Sequence, residues 1–149
     1  MAETLGSLCD KLTIVKLKQF HSEDRDRLRS LATQEKQLQD EINEYFVAAM
    51  TGQIPLEGLT FAANKIYKEE GNIVPDVQGD IGEVFAQLAT VNCDLWHEQE
   101  KVYEFEKILP DEKNKVVKSL ALLNLERNNC IDAINKQFQE VVERNGNSL

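Results

Sequence analysis

Apolar residues in the second half of the chain recur at Ile81, Val84, Leu88, Val91, Leu95, Val102, Phe105 and Leu109, in alternating three- and four-residue steps with one polar interruption at Glu98. That period puts them on one face of an amphipathic helix. Asp80 followed three residues later by Glu83 predicts a capping-box start, and Pro110-Asp111 predicts the stop and the next N-terminus. The following helix carries Leu120, Leu123, Cys130, Ile134 and Val141 on one stripe, broken by Arg127, and ends near Arg144-Asn145-Gly146.

In the first half, Leu5, Leu8, Leu12 and Val15 form one stripe, and Ile14, Leu17, Leu28, Leu31, Leu38, Ile42 and Tyr45 form a second. Residues 5–50 therefore read as helical, closed by Thr51-Gly52. No Gly or Pro lies between His21 and Ser30, and the second stripe crosses this stretch without a phase break. A hairpin and a single long helix paired in an oligomer are both open on this evidence. Residues 51–79, with Pro55, Gly58, Gly71 and Pro75, read as a crossover holding a short helix around Leu56–Lys68 that buries Phe61, Ile66 and Tyr67.

An internal repeat favours the hairpin. Leu5-Gly6, Leu12, Val15, Phe20-His21, Asp24 and Arg25 match Ile81-Gly82, Leu88, Val91, Trp96-His97, Glu100 and Lys101 at an offset of 76 (5 to 81). Leu31, Asp40, Ile42-Asn43 and Phe46 match Leu123, Asp132, Ile134-Asn135 and Phe138 at an offset of 92 (31 to 123), so 92 − 76 = 16 residues are inserted around Pro110. Amphipathic helices share Leu and Ile positions by chance, but not an aromatic-His pair and an Asp-x-Ile-Asn-x-x-Phe string. The expected architecture is a single all-α domain over residues 1–149, a four-helix bundle of two diverged helical hairpins (5–50 and 80–145) joined by a crossover.

Composition agrees. At 149 residues the chain is long enough to bury about 70% of its unfolded surface, and three Pro and seven Gly are few breakers for a strand-and-turn fold. A formal charge of −9 repels phosphate backbones and anionic lipid, so neither nucleic acid nor membrane is expected as a partner. Met1-Ala-Glu-Thr-Leu does not resemble a secretory leader and no run of about 18 apolar residues occurs, which predicts a cytoplasmic protein. Cys9, Cys93 and Cys130 lie inside periodic segments without a CxxC spacing and are expected as reduced, packed thiols.

Two constellations could carry function. Folding the second hairpin about Pro110 brings Asn92 level with Arg127 and Asp94 near Glu126, and folding the first about Arg25 brings Lys16 level with Glu35. Polar residues on these apolar seams either fix helix register or line a pocket for a polar or anionic ligand, formed by Asn92, Glu98, Asn124 and Arg127. The second constellation is a duplicated His-x-x-acid, His21 with Asp24 and His97 with Glu100, which could supply a divalent metal site in a bundle. Its order reverses the usual Glu-x-x-His of dimetal bundles, and an ion pair one turn apart is the plainer reading. Glu23-x-x-Asp26 and Glu41-x-x-Glu44 resemble the magnesium-holding pairs of all-α pyrophosphohydrolases, but the two pairs are not level across the hairpin.

The strings Gly6-Ser-Leu-Cys-Asp-Lys-Leu-Thr-Ile, Asn92-Cys-Asp-Leu-Trp-His-Glu and Leu123-Asn-Leu-Glu-Arg-Asn-Asn resemble a group of bacterial helical-bundle proteins that tend to be encoded beside sugar-transfer and surface-polysaccharide genes. The resemblance implies a helical bundle and a link to carbohydrate metabolism, and it carries no activity. Gln99-Glu100 departs from the acidic pair the group has after its tryptophan. The sequence thus supports an accessory binding module, expected as a homo-oligomer, for a small polar ligand or a protein partner. The competing reading is a metal-dependent hydrolase or transferase acting on a nucleotide or phosphorylated sugar through His21, Asp24, His97 and Glu100.

Overall fold

The structure, a computed structural model, describes residues 2–61 and 77–146. Among them, α1 (Leu5–Phe20), α2 (Arg25–Met50), α3 (Ile81–Tyr103) and α4 (Pro110–Gly146) form an all-α four-helix bundle of two hairpins, α1–α2 and α3–α4. α1 begins at a reciprocal cap: Thr4 Oγ1 accepts the Ser7 amide at 3.2 Å, and Ser7 Oγ accepts the Thr4 amide at 2.9 Å. α2 begins where the Asp24 carboxylate accepts the amides of Asp26 (2.9 Å) and Arg27 (3.3 Å). Satisfying two free amides at Asp24 gives the chain a helix start in a stretch where apolar spacing shows no break. Residues 5–50 are accordingly a hairpin, reversing over residues 21–24, and not one long helix.

Asp80 occupies the N-cap position of α3 in extended conformation, but its side chain makes no capping hydrogen bond. α3 ends at Tyr103, short of the Leu109 that periodicity suggested. Pro110 stands at the first position of α4, where a missing amide costs nothing, and it disfavours helical geometry at the residue before it. The reversal is therefore made on the N-terminal side of the proline, through a 3₁₀ turn at Phe105–Lys107 and an extended Ile108. Lys113 Nζ lies 5.2 Å above the Phe105 ring and packs this turn onto α4.

The chain leaves α2 through Gly52, whose φ of +80° is the left-handed geometry a helix end favours. A 3₁₀ turn at Leu56–Gly58 follows, after which residues 59–61 leave helical geometry and Phe61 is half-buried, so the expected helix does not continue there; its residues 62–68, with Ile66 and Tyr67, lie outside the described residues. Gln139 Nε2 donates to the Leu56 carbonyl at 2.7 Å and Gln137 Nε2 to that of Gly79 at 2.8 Å, so α4 holds both ends of the connection.

The core lies at one end of the bundle, the base. Leu5, Leu8 and Cys9 of α1 meet Tyr45 and Ala49 of α2, Leu59, Val84 and Leu88, and Cys130, Ile134 and Phe138 of α4. Burying an aliphatic or phenyl side chain of this kind is favourable by about 1.5–3 kcal/mol. The N-termini of α1 and α3 and the C-termini of α2 and α4 share this base; the turns at 21–24 and 104–109 form the opposite end, the tip. α2 is the least embedded helix, with Leu31, Tyr45 and Ala49 its buried residues, and it meets α4 through Tyr45 and Phe46, whose rings lie 6.0 and 4.8 Å from that of Phe138.

α1 and α4 approach closely at Gly6. Its amide donates to Asn135 Oδ1 at 2.7 Å, and a Cβ there would stand 2.5 Å from the Ile131 carbonyl oxygen. The matched positions in the other halves differ: Gly82 has open space around it and Asn43 is exposed. Gly6→Ala is therefore expected to cost about 1.5 kcal/mol or more by overpacking against backbone. Gly82→Ala, in an unobstructed helix, should gain a few tenths to about 1 kcal/mol. Urea unfolding of the two variants checks this, and equal effects would contradict it.

Candidate functional site

Asp10 sits in the second turn of α1, 3% exposed, among residues that otherwise bury apolar surface. Its Oδ1 accepts Arg127 Nε at 2.9 Å and its Oδ2 accepts Arg127 Nη2 at 2.6 Å, a fork-on-carboxylate pair from α4. Asn92 Nδ2 of α3 donates to the same Oδ1 at 2.9 Å and to Thr13 Oγ1 at 2.7 Å. Thr13 in turn donates to the Asp10 carbonyl at 2.7 Å. A carboxylate removed from water is tolerated when its lone pairs are filled and its charge is balanced, and here both conditions are met by residues of two other helices.

The cluster is chemically quiet. Both carboxylate oxygens and the Nε–Nη2 edge of the guanidinium are engaged with each other, so the group is arranged as a clamp between α1, α3 and α4. The neighbouring thiols are disfavoured as thiolates. Burial pushes Cys9 up to about 11, with the Asp10 charge adding to it, and burial pushes Cys130 to about 11, with Glu126 adding to it.

Of the expected ligand-binding set, the structure brings Asn92 and Arg127 together through Asp10. Glu98 pairs with Lys101 Nζ at 2.8 Å, and Asn124 is exposed. The residues that meet are Asp10, Thr13, Asn92 and Arg127, with Glu98 and Asn124 outside this cluster. Lys16 does meet Glu35, at 3.0 Å, joined by Gln19 Nε2 at 3.0 Å, and these hydrogen bonds, Gln19's first, hold Glu35 below the usual carboxylate range. Asp10 was missed because hairpin folding relates only the two helices of one hairpin, whereas Asp10 enters from the other. The available signal was the Gly6-Asp10-Thr13 spacing, a small-polar stripe on one face of an otherwise apolar helix.

The proposed metal residues divide between other roles. Asp24 caps α2. The His21 ring stacks on Trp96 at 4.8 Å and 8°, with the His97 ring edge-on at 6.2 Å. Glu100 Oε1 accepts Trp96 Nε1 at 2.8 Å, and its Oε2 lies 3.9 Å from His97 Nδ1. Among the described residues no three His, Cys, Asp or Glu side chains converge in a metal-binding arrangement. The two histidines are brought to one end of the bundle, but one carboxylate is spent on the helix cap and the other on the indole. A surface groove of about 570 Å³ runs along the last turns of α3, lined by His97, Glu100, Lys101, Tyr103 and Glu104.

Comparison with protein-family models, with curated proteins and with solved structures gave no match. The fold class, an all-α four-helix bundle, therefore rests on the structure itself. Among the described residues no helix is long and apolar enough to cross a membrane.

Two predictions test the cluster. Arg127→Met leaves Asp10 buried and unpaired and should cost about 2–4 kcal/mol, below the fully buried range because the arginine side chain is 32% exposed. The double variant Asp10→Asn, Arg127→Met should recover more than half of that loss; additive losses in a double-mutant cycle would show that no coupling exists. For the thiols, the folded chain holds protons to about 11 where an ordinary thiol releases them at 9.0. The folded state binds more protons between those values, so this stability is full below pH 9.0 and is lost as pH rises through about 11. Urea midpoints measured from about pH 8 to about pH 11 should fall, and a Cys9→Ala, Cys130→Ala variant should show a shallower decline.

Proposed function

We propose that this chain is a non-catalytic interaction module that docks a protein partner through the tip of its second hairpin. The observation that supports this is a division of labour on the molecule. Its polar seam is used internally, while the most exposed large apolar side chains stand at the tip, Tyr103 at 83% and Leu109 at 72% with Val117 at 57%, above a second exposed set at the base led by Val47 at 62% and Met50 at 45%. Phe20, at the end of α1, is 83% exposed at the turn of the first hairpin. Single exposed apolar residues are ordinary on a protein surface, but several large ones at one end of a helical pair mark a contact surface.

A small-ligand reading draws less support. The guanidinium expected to clamp an anion is already bidentate to Asp10, so a ligand at that edge would have to displace a buried ion pair. The metal-dependent enzyme reading has its candidate carboxylates occupied at a helix cap and at an indole.

A photo-reactive phenylalanine analogue in place of Leu109, compared with one in place of the exposed Asn43, tests the proposal in producing cells. Irradiation should give a discrete cross-linked protein species from position 109 and none from position 43. No product at 109, or the same products at both positions, would count against a docking tip.

A further inference from the structure

The exposed tip residues belong to stripes that run the length of the second hairpin. On α3, Asn92, Trp96, Gln99 and Tyr103 follow in steps of four, three and four, so they share one face. On α4, Asn114, Val117, Ala121, Asn124 and Asn128 do the same, and the stripe continues through Ile131 to Asn135. Neither stripe contains a charged residue, in a chain of which 29% is charged.

The lower part of both stripes is already an interface. Asn92 reaches Asp10 and Thr13, Trp96 stacks on His21, and Ile131 and Asn135 border Gly6. Helices of the first hairpin thus cover this face near the base. Above that level the same face continues bare: Gln99 and Tyr103 on α3 and Asn114, Val117, Ala121 and Asn124 on α4 are all exposed. The first hairpin does not reach it, because α1 and α2 have 16 and 26 residues where α3 and α4 have 23 and 37.

Resting on the docking reading above, we propose that the occupant of this bare face is a second copy of the chain, packed tip to tip and antiparallel about a two-fold axis. In that arrangement α3 and α4 of one copy cover the stripe that the first hairpin leaves open on the other, and four helices surround the tip as they do the base. The same rotation carries each copy's Tyr103 and Leu109 toward the other's Phe20, so the stranded apolar residues at the two hairpin tips cover one another. Charge argues for a copy over a different partner. A chain of net charge −9 would attract a cationic partner through charged side chains, and these stripes have none. A self-contact between acidic molecules needs an uncharged strip, so that no like charges are pressed together.

The bare face runs about 15 Å along α4, from Asn114 to Asn124, by about 20 Å across two helices, which pairs into roughly 600 Å² between two copies before the tip residues Phe20 and Leu109 are added. That is below the size of a standard specific interface, so the dimer is expected to be weak and to dissociate in a measurable concentration range. Sedimentation equilibrium of the intact chain from about 1 µM to about 200 µM should show a monomer–dimer equilibrium that tightens as salt screens the net charge. Tyr103→Ser with Val117→Ser should weaken association at least about tenfold while circular dichroism and melting of the dilute protein stay unchanged. A strict monomer throughout, or a dimer indifferent to the double substitution, overturns the proposal.

Site-specific cross-linking guards against a variant that fails to fold. In a Cys93→Ala background, equal amounts of Phe20→Cys and Leu109→Cys chains treated with a short bis-maleimide should give a mixed cross-linked dimer. A Glu41→Cys chain mixed with Leu109→Cys should not, and equal yields in both mixtures reject the antiparallel arrangement. A monomer that still cross-links a different protein from position 109 would reject self-docking alone; a monomer that cross-links nothing would reject the docking tip as well.

Discussion

The buried carboxylate of Asp10 is the constraint on which the arrangement of three helices depends. Its charge has to be balanced where water does not reach, and the groups that balance it come from α3 and α4. A bidentate guanidinium has little freedom of position, so Arg127 sets the sliding register of α4 against α1 to within a fraction of a helical turn. One turn earlier on α1, Gly6 meets Asn135, eight residues further along the antiparallel α4. The two contacts work together, because the close approach at Gly6 fits the register that the ion pair selects. Such a pair adds little net stability compared with an apolar replacement, and its contribution lies in excluding other registers.

α2 stands outside this clamp. It is tied to α1 by Lys16 and Gln19 on Glu35, a pair at the surface where water and salt weaken it, and to α4 by aromatic contacts at the base. The matched hairpins therefore do not play matched parts. Lys16–Glu35 occupies the positions that correspond by the repeat to Asn92–Arg127, but only the second pair receives an acid from the other hairpin. The reciprocal of the Gly6–Asn135 contact is missing as well, since Asn43 faces solvent and Gly82 is unobstructed. Repeated residues here share positions along their helices while differing in what surrounds them.

Much of the fold was legible because helices announce themselves through period. The three-four spacing located α3 and α4 and marked residues 5–50 as helical, the repeat favoured a hairpin there, Thr51-Gly52 and Pro110 marked real boundaries, and simple hairpin arithmetic brought Lys16 to Glu35 and put Asn92 and Arg127 at one level. What failed had local causes. The stripe from Leu17 to Leu28 concealed a turn because the turn is made by an aspartate cap and needs no glycine. Phe105 and Leu109 kept helical spacing through the segment between Tyr103 and Pro110 that lies outside both helices. Asp10 escaped notice because a single acid on an N-terminal helix reads as surface, and nothing in one hairpin says which residue of the other will enter it. Each of the three strings that carried the family resemblance nevertheless contributes a member to that cluster: Asp10, Asn92 and Arg127. These polar residues set among apolar ones close on one another.

The same inequality between hairpins that breaks the symmetry of the clamp also shapes the outer surface. The repeat requires sixteen additional residues around Pro110, and a hairpin lengthened at its turn extends both arms by about two helical turns without moving its packed base. Those turns keep the character of the face they prolong, uncharged and small or aromatic, although the helices that cover that face below have ended. A helical pair with only itself to pack against cannot bury such a face, because each helix of a pair shields little more than the strip that touches its neighbour. Surplus length in one hairpin thus turns an internal interface into an external one, and it does so with a chemistry already suited to receiving helices.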